Sequence, residues 1–304
     1  MRIRDVSTHG VAQRPRRMAT AIFLLKVARP GFWLTSIWFY MLPLGQRYVW
    51  NRPAFWLGII YVCLPLGLLI YGANDIVDAE NDRRNPRKDT FLFGARGTPA
   101  QLAMLPTWIA AVQASFAVIF LMLIGPKVLL WFGLLIFATL IYNWPPPGLK
   151  GRPPCDLLNQ LGYLLVFVLS CWLNRVPSPP WPTFVFGALF AMHSLLFGEI
   201  MDLEPDRLAG RRTTAGLLGL VPSKFLAAGF LAIESTLIAI CVRDFYLAGF
   251  LILSAGAFVL DATLLWRERL YNAAEMRLFL LAWNAVALVS IPWVWFTATL
   301  ARLP

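Results

Sequence analysis

The chain has 304 residues, of which 59% are hydrophobic and only 14% are charged. Such a small polar fraction cannot cover a water-soluble domain of this length, so the composition excludes a soluble enzyme and predicts an integral membrane protein. The formal net charge of +11 does not indicate nucleic-acid binding, because the basic residues flank apolar segments, where they attract anionic lipid headgroups. We therefore expect membrane lipids, and no nucleic acid, as partners.

Long apolar runs follow one another from Thr20 almost to the C-terminus, and each can cross a hydrocarbon core of about 30 Å. They predict an all-α membrane fold of nine transmembrane helices in one domain, residues 1–304, in which residues 1–18 form a basic cytoplasmic segment. This segment does not resemble a signal peptide, because Lys26 and Pro30 interrupt the apolar run that follows it. The predicted spans are 20–46, 54–78, 100–123, 128–145, 156–173, 181–201, 221–242, 245–266 and 276–298.

The orientation of the helices follows from the distribution of the basic residues. Of the 27 Lys and Arg residues, 21 fall on one side of the predicted topology and six on the other. Short cytoplasmic loops retain an excess of Lys and Arg. We therefore expect a cytoplasmic N-terminus and, because the helix count is odd, an external C-terminus.

Acidic residues concentrate in two short clusters, each at the predicted end of a helix on the cytoplasmic side. The first cluster runs from Asn74 to Asp82 and the second from Asp202 to Asp206. If the helix continues through the first cluster, Asn74, Asp78 and Asp82 share one face, where like charges repel unless a cation neutralises them. Carboxylates opposite substrate phosphates are the usual ligands of Mg²⁺. Solvated acidic helix ends are the alternative, and two clusters on one side of the membrane make it the weaker one.

Basic residues follow both clusters, as a diphosphate site requires. Carboxylates would hold Mg²⁺, and Lys or Arg side chains would contact the remaining phosphate oxygens. The positive-inside rule alone would also place basic residues there, so each of them keeps this alternative explanation. They are Arg83, Arg84, Arg87 and Lys88 after the first cluster, and Arg207, Arg211 and Arg212 after the second.

The two halves of the chain are also weakly similar. An acidic cluster ends in Asp82-Arg83 in one half and in Asp206-Arg207 in the other, and a proline follows each near the start of the next helix. This pattern predicts a repeat of two four-helix units with one added helix. Equivalent helix ends would then face each other across a central cavity.

These motifs resemble those of the UbiA-type membrane prenyltransferases over nearly the whole chain. The resemblance rests on Asn74-Asp75-x-x-Asp78-x-x-x-Asp82, on Asp202-x-x-x-Asp206 followed by Gly210-Arg211-Arg212-Thr213-Thr214, and on the run from Tyr142 to Lys150 between them. It implies a nine-helix bundle around a central cavity, in which a prenyl diphosphate is ionised with two Mg²⁺ ions and a lipophilic acceptor captures the cation. The acceptor would be a quinone precursor, a carotenoid or a related compound. The run from Asn81 to Lys88 resembles the branch that contains lycopene elongases.

The resemblance also implies roles for individual residues. Asp78, Asp202, Tyr142 and Lys150 are expected to be catalytic. Substrate contacts are expected from Asn74, Arg84, Lys88, Lys150, Arg211 and Arg212. Metal ligands are expected from Asn74, Asp75, Asp78 and Asp82 in the first cluster, and from Asp202 and Asp206 in the second.

Two other functions stay open at this stage. A membrane terpene cyclase with the same fold would capture the cation within the prenyl chain itself. A secondary transporter would place its acids near the bilayer midplane on broken helices, whereas these acids lie at helix ends. Inside the predicted spans, Glu234 and His193 are ionisable, so a functional role and an interhelical hydrogen bond are both reasonable for them. The sequence does not define the oligomeric state.

Overall fold

The computed structural model describes residues 13–85 and 87–302. Within these ranges the fold is all-helical, apart from one isolated antiparallel bridge between Thr90 and Gly94. Most of the predicted basic segment, residues 1–12, lies outside the described residues, and the first helix begins at Gln13.

Eight of the predicted spans coincide with helices of the structure to within about three residues. Among the described residues, seven helices are long and apolar enough to cross a membrane, which agrees with an integral membrane protein. The helix Lys127–Asn143 is apolar but shorter, with 17 residues. The seven are Pro53–Val77, Pro99–Ile124, Cys155–Asn174, Trp181–Met201, Leu220–Val242, Phe245–Thr263 and Ala273–Thr297.

The first predicted span, residues 20–46, is not one continuous helix. A helix ends at Val27, a 3₁₀ turn follows at Pro30–Phe32, and a second helix covers Trp33–Met41. Arg29 lies in the left-handed region with φ 48°, and Pro30 has no N–H with which to continue the helix. Because neither piece spans a membrane by length alone, the count of nine transmembrane helices stays a prediction.

Local sequence signals explain where several helices begin. Thr98 and Gln101 form a capping box at the start of Pro99–Ile124, and Asn272 forms the same box with Glu275. In each box the side chain of the first residue accepts a hydrogen bond from an otherwise free backbone N–H. The side chain three residues later accepts a hydrogen bond from the backbone N–H of the first residue. Thr98 is followed by Pro99, whose missing N–H costs nothing at the first helical position.

The helices pack so that the chain returns on itself. The helix Leu220–Leu237 packs along Phe245–Thr263 and against Trp181–Met201, and Ala273–Thr297 packs against the early helix Trp33–Met41. The helix ends that carry the two acid clusters come together in this arrangement, since Arg211 contacts acids of both clusters.

Both acid clusters end their helices with the same local structure. A long helix ends at Val77 or Met201, and the next residue, Asp78 or Asp202, has nearly identical dihedral angles (φ −91°, ψ 7° and φ −96°, ψ 8°). A six-residue helix then follows in each case. Helical hydrogen bonding nevertheless continues across Asp78, whose N–H donates to the Asn74 carbonyl at 2.8 Å. This local likeness agrees with a repeat, but the two four-helix units themselves stay a prediction.

Candidate active site

The centre of the site is an ion pair between Asp78 and Lys150, which lie 72 residues apart in the chain. The Lys150 ammonium donates to Asp78 Oδ1 at 2.7 Å, to Asn74 Oδ1 at 3.0 Å and to Asn143 Oδ1 at 3.1 Å. Lys150 is only 3% exposed. Burial lowers the pKa of Lys150, and the neighbouring Asp78 carboxylate opposes this shift. The ammonium therefore sits in a polar cage formed by three oxygen atoms.

A tight turn positions Lys150. The chain leaves the helix Lys127–Asn143 through a run of three prolines, and the 3₁₀ turn Leu149–Gly151 carries the lysine back toward the acids. Gly148 has φ 64°, a conformation that other residues adopt at a cost. A Cβ atom there would lie 2.2 Å from the Tyr142 carbonyl oxygen. Glycine is thus required at position 148 for the turn to form.

Arg211 joins the two acid clusters. Its guanidinium pairs with Asp78 of the first cluster and, at 3.1 Å, with Asp206 Oδ1 of the second. Gly210, which precedes it, has φ 68° and allows the chain to turn sharply there. Burial raises the pKa of the Asp206 carboxyl to about 7, and the guanidinium of Arg211 limits this rise. The second cluster is thereby held against the first by one shared cation.

A reciprocal contact runs in the other direction. Arg87, in the loop after the first cluster, pairs with Asp202 of the second cluster. Asn85 donates to the same carboxylate at 3.3 Å. Each loop therefore supplies a cation to the acid cluster of the other half.

The remaining acids of the first cluster are also paired with cations. The Lys88 ammonium lies 2.7 Å from both Asp75 Oδ1 and Asp82 Oδ2, and Arg29 pairs with Asp75 Oδ1 at 2.9 Å. The Arg29 guanidinium also lies 4.5 Å from the centre of the Tyr71 ring. Burial raises the pKa of the Asp82 carboxyl to about 6, and Lys88 limits this rise.

Two further acids hold the loop that carries Arg211. Asp156, which is fully buried, accepts from the Thr214 N–H and the Thr214 hydroxyl, both at 2.6 Å. Glu199 accepts from the Ala215 N–H at 3.0 Å. Sequence reasoning missed Asp156 and Glu199, as well as Arg29. The signal that could have found the two acids was their position inside predicted spans, where a carboxylate is costly unless it has a task.

The structure places the other predicted site residues less centrally. Tyr142 is half-buried in the last turn of the helix Lys127–Asn143. Arg212 is exposed and makes no ion pair with the described residues. Arg83 pairs with Glu80 at 3.0 Å on the surface. The side chain of Arg84, expected to bind substrate, lies outside the described residues.

The donor atoms at this mouth fit Mg²⁺ chemically. Among residues 13–85 and 87–302, no three His, Cys, Asp or Glu side chains are gathered as a metal site, and Lys and Arg side chains pair with the carboxylates. Asp75 Oδ2, however, is buried and has no hydrogen-bond partner among the described residues, which is a costly state for a carboxylate oxygen. A cavity of about 10 Å³, roughly the room one water needs, borders Asp75 and Asp82. Carboxylate and amide oxygens are the ligands that Mg²⁺ prefers.

Aromatic rings from five elements line the interior below the acid clusters. The Tyr71 and Tyr163 hydroxyls lie 3.4 Å apart, and the Tyr163 ring lies 6.1 Å from that of Phe39. Phe190 continues the series, 5.5 Å from Phe39 and 5.3 Å from Trp283. These rings make the interior apolar, and the faces of aromatic rings attract cations. The central cavity expected from the sequence stays a prediction.

The fold and this mouth define a class: a polytopic helical membrane protein in which two acidic helix ends meet above an aromatic interior. The chain belongs to the UbiA prenyltransferase family, whose sequence pattern matches residues 32–286.

Among curated proteins, the chain is similar to enzymes named lycopene elongase/hydratase. The protein from Haloarcula japonica is 31% identical over 207 residues, which is 65% of this chain and 67% of that protein. The protein from Corynebacterium glutamicum is 26% identical over 253 residues, or 80% and 84% of the two chains. These relatives agree with the carotenoid-modifying branch that the run from Asn81 to Lys88 indicated.

Among solved structures, the fold is similar to that of a UbiA homolog from Archaeoglobus fulgidus bound to DMAPP and Mg²⁺. The TM-score is 0.65 at 16% identity, and the match covers 89% of this chain and 99% of the other. A second structure of a UbiA homolog from this organism, bound to GPP and Mg²⁺, gives a TM-score of 0.63 at 15% identity. Identity this low supports a shared fold and no more.

Proposed function

We propose that this chain is a Mg²⁺-dependent intramembrane prenyltransferase that ionises a prenyl diphosphate and transfers the prenyl group to an acyclic carotenoid. The observation that carries the proposal is the position of Asp78. Lys150 from one loop and Arg211 from another meet on this single buried carboxylate. A dense convergence of carboxylates and cations at one mouth is what binding of a metal and a diphosphate requires.

The acids form two groups, and each group would hold one metal ion. When bound, Mg²⁺ supplies positive charge that neutralises the phosphate oxygens and makes the diphosphate a better leaving group. The cations that occupy these acids would then be free to contact phosphate oxygens. Ligands would come from Asn74, Asp75, Asp78 and Asp82 in the first group and from Asp202 and Asp206 in the second. Phosphate contacts would come from Lys88, Lys150, Arg211, Arg212 and Arg84.

The reaction consists of bond cleavage followed by bond formation. The bond between C1 of the prenyl group and oxygen breaks, and its electron pair leaves with the diphosphate, where Lys150 and Arg211 stabilise the developing charge. Tyr142 faces the reacting carbon in this proposal, and the ring faces of the interior stabilise the allylic cation. A double bond of the acceptor then attacks C1, and the new cation on the acceptor loses a proton.

The choice of acceptor rests on two points. The similar enzymes are named lycopene elongase/hydratase, and an interior lined by aromatic rings suits a long apolar polyene. A quinone precursor would bring polar groups that need partners in the same interior. Transport is disfavoured, because the acids lie at helix ends rather than near the midplane.

One experiment tests the function directly. Lipids are extracted from cells that produce lycopene together with this protein, and the carotenoids are analysed by mass spectrometry. We expect products heavier than lycopene by prenyl units, and none from Asp78→Asn. Glu204→Gln is the matched control, because Glu204 lies within the second acidic motif but is exposed. A terpene formed from prenyl diphosphate alone would instead identify a cyclase. Full turnover in excess chelator would contradict the role of Mg²⁺.

The proposal also places the mouth in the cytoplasm, with the C-terminus outside. Reporter fusions at the C-terminus test this orientation. Activity of a reporter that works only in the cytoplasm would show that one helix has been miscounted.

A further inference from the structure

A second polar pair lies inside the helix bundle, away from both acid clusters. His193 belongs to the helix Trp181–Met201 and Glu234 to Leu220–Leu237, and His193 Nδ1 lies 2.7 Å from Glu234 Oε1. His193 is 3% exposed and Glu234 is 0% exposed. Ionisable side chains at such depth are costly and mark functional positions by default.

The hydrogen bonding of this pair is incomplete. Within the part of the chain that the structure describes, Glu234 Oε2 is buried and has no hydrogen-bond partner, and His193 Nε2 makes no hydrogen bond. Gln113 offers a comparison, because it accepts from the Tyr61 hydroxyl at 2.8 Å and donates to the Pro65 carbonyl at 2.7 Å. An interhelical contact needs no unfilled acceptor, whereas a group that receives a proton does.

The pair faces the aromatic interior at a suitable depth. The His193 ring lies 5.1 Å from Phe190 and 6.2 Å from Trp283, which are the inner members of the series of rings below the acids. His193 precedes Asp202 by nine residues on the same helix, or about 13.5 Å at about 1.5 Å per residue. In the proposed function the diphosphate lies at the acid clusters and the prenyl group extends inward from Asp202. The acceptor double bond, about 3 to 3.5 Å from the reacting prenyl carbon, would then lie near the depth of His193.

We propose that His193, oriented by Glu234, is the proton acceptor of the transfer step, an inference that rests on the proposed function. After the prenyl carbon bonds to one carbon of the acceptor double bond, the neighbouring carbon carries the positive charge. An adjacent C–H bond breaks, its electron pair forms the new double bond, and the proton goes to His193 Nε2 while Nδ1–H donates to Glu234. If water adds to the cation instead, one of its protons goes to the same nitrogen.

Charge supports this assignment. Glu234 would stabilise the imidazolium that forms when His193 takes the proton, because two opposite charges in contact are less costly in a region of low dielectric than an isolated charge. Transfer of the proton removes the cation from the carbon skeleton and leaves the pair neutral overall. The isolated positive charge on the carbon skeleton is thereby replaced by a hydrogen-bonded ion pair, which is less costly in the hydrocarbon region.

The test separates cleavage of the diphosphate from transfer. Purified protein in lycopene-containing vesicles receives dimethylallyl diphosphate, and released diphosphate, prenylated carotenoid and free prenyl alcohol are measured. In the absence of acceptor, His193→Gln should change the rate of diphosphate release by less than about twofold. With acceptor present, it should lower the rate of carotenoid product formation about 100-fold, which is in the range of a general base. Prenyl alcohol should replace the product. Glu234→Gln should show the same change to a smaller extent, and Glu234→Asp should restore part of it.

Tyr61→Phe is the matched control, since it removes a buried interhelical hydrogen bond of 2.8 Å without touching a proton acceptor. It should leave the ratio of carotenoid product to diphosphate unchanged. An unchanged ratio in His193→Gln would overturn the role of His193, as would a parallel loss of release, transfer and thermal stability. If His193→Gln does not insert, the isosteric Glu234→Gln gives the deciding ratio. Absence of any diphosphate release by the unaltered protein would overturn the proposed function itself.

Discussion

The two acid clusters have the same backbone but different electrostatic surroundings. Asp78 contacts two cations, Lys150 and Arg211, and its side chain is 6% exposed, whereas Asp202 contacts Arg87 among the charged residues described and its side chain is 31% exposed. The same local motif has thus been placed in a closed environment in one half and an open one in the other. A metal ion that binds at each cluster, as proposed, would displace more cations at the first cluster than at the second.

The largest effect is expected from neutralising either central acid. Asp78→Asn and Asp202→Asn should each lower kcat/KM by at least about 100-fold, because in the proposed function each would remove a carboxylate that holds Mg²⁺, whose positive charge would neutralise the diphosphate. The closed and open environments of the two acids also predict different melting temperatures for the two variants. Asp78→Asn leaves the buried Lys150 ammonium without its carboxylate, so its melting temperature in detergent should fall further than that of Asp202→Asn. Equal melting temperatures would contradict the closed and open environments.

The next effect concerns Lys150, whose ammonium pairs with Asp78 of the first cluster. In the proposed function Lys150→Ala removes one charge-assisted contact to the diphosphate. Such a contact contributes about 1.5 to 3 kcal/mol, which is roughly a 10- to 150-fold loss in kcat/KM. Lys150→Arg should recover part of the activity. Steady-state kinetics on protein inserted at normal levels provide the measurement. Unchanged kinetics for Lys150→Ala would contradict a role in diphosphate binding. Lys150 would then be one of the basic residues that set the membrane topology.

A smaller effect separates two neighbouring arginines. Arg211→Gln removes the cation shared by the clusters and should raise KM for the prenyl diphosphate about tenfold. Arg212→Gln is the matched comparison. Because Arg212 is exposed and unpaired among the described residues, water would weaken its contact with phosphate, so we expect less than about a threefold change. The reverse order would show that the bound state turns Arg212, rather than Arg211, toward the phosphate.

The smallest effect is expected where the second loop is anchored. Thr214→Val removes the hydroxyl that donates to Asp156 at 2.6 Å but keeps the backbone bond, so it should cost about 1 kcal/mol of stability. Because the same loop carries Arg211, KM should rise a few-fold while diphosphate cleavage at saturation stays nearly constant. Thermal unfolding and kinetics measure the two parts. A change in kcat alone would contradict a purely positional role.

Most helix positions could be predicted because the signal was simple. An apolar run long enough for the bilayer leaves the chain little alternative to a helix, as for Trp181–Met201, where prediction and structure coincide. The prediction of one continuous helix in the first span was wrong, because hydrophobic composition does not reveal the left-handed backbone conformation of Arg29, the residue before Pro30. The paired acids could be recognised from their spacing, but the cations that reach them from other elements, such as Arg29, could not.

The sequence by itself determined that the chain lies in a membrane, where its helices run and which helix ends carry carboxylates, since these depend on local composition and on distances of a few residues. Only the tertiary structure decided which charges meet. Lys150 lies 72 residues from Asp78, and Arg211 lies 133 residues from it. His193 and Glu234 are 41 residues apart and pair only because their two helices pack together. Contacts of this kind depend on the packing of whole helices, which no local pattern in the chain specifies.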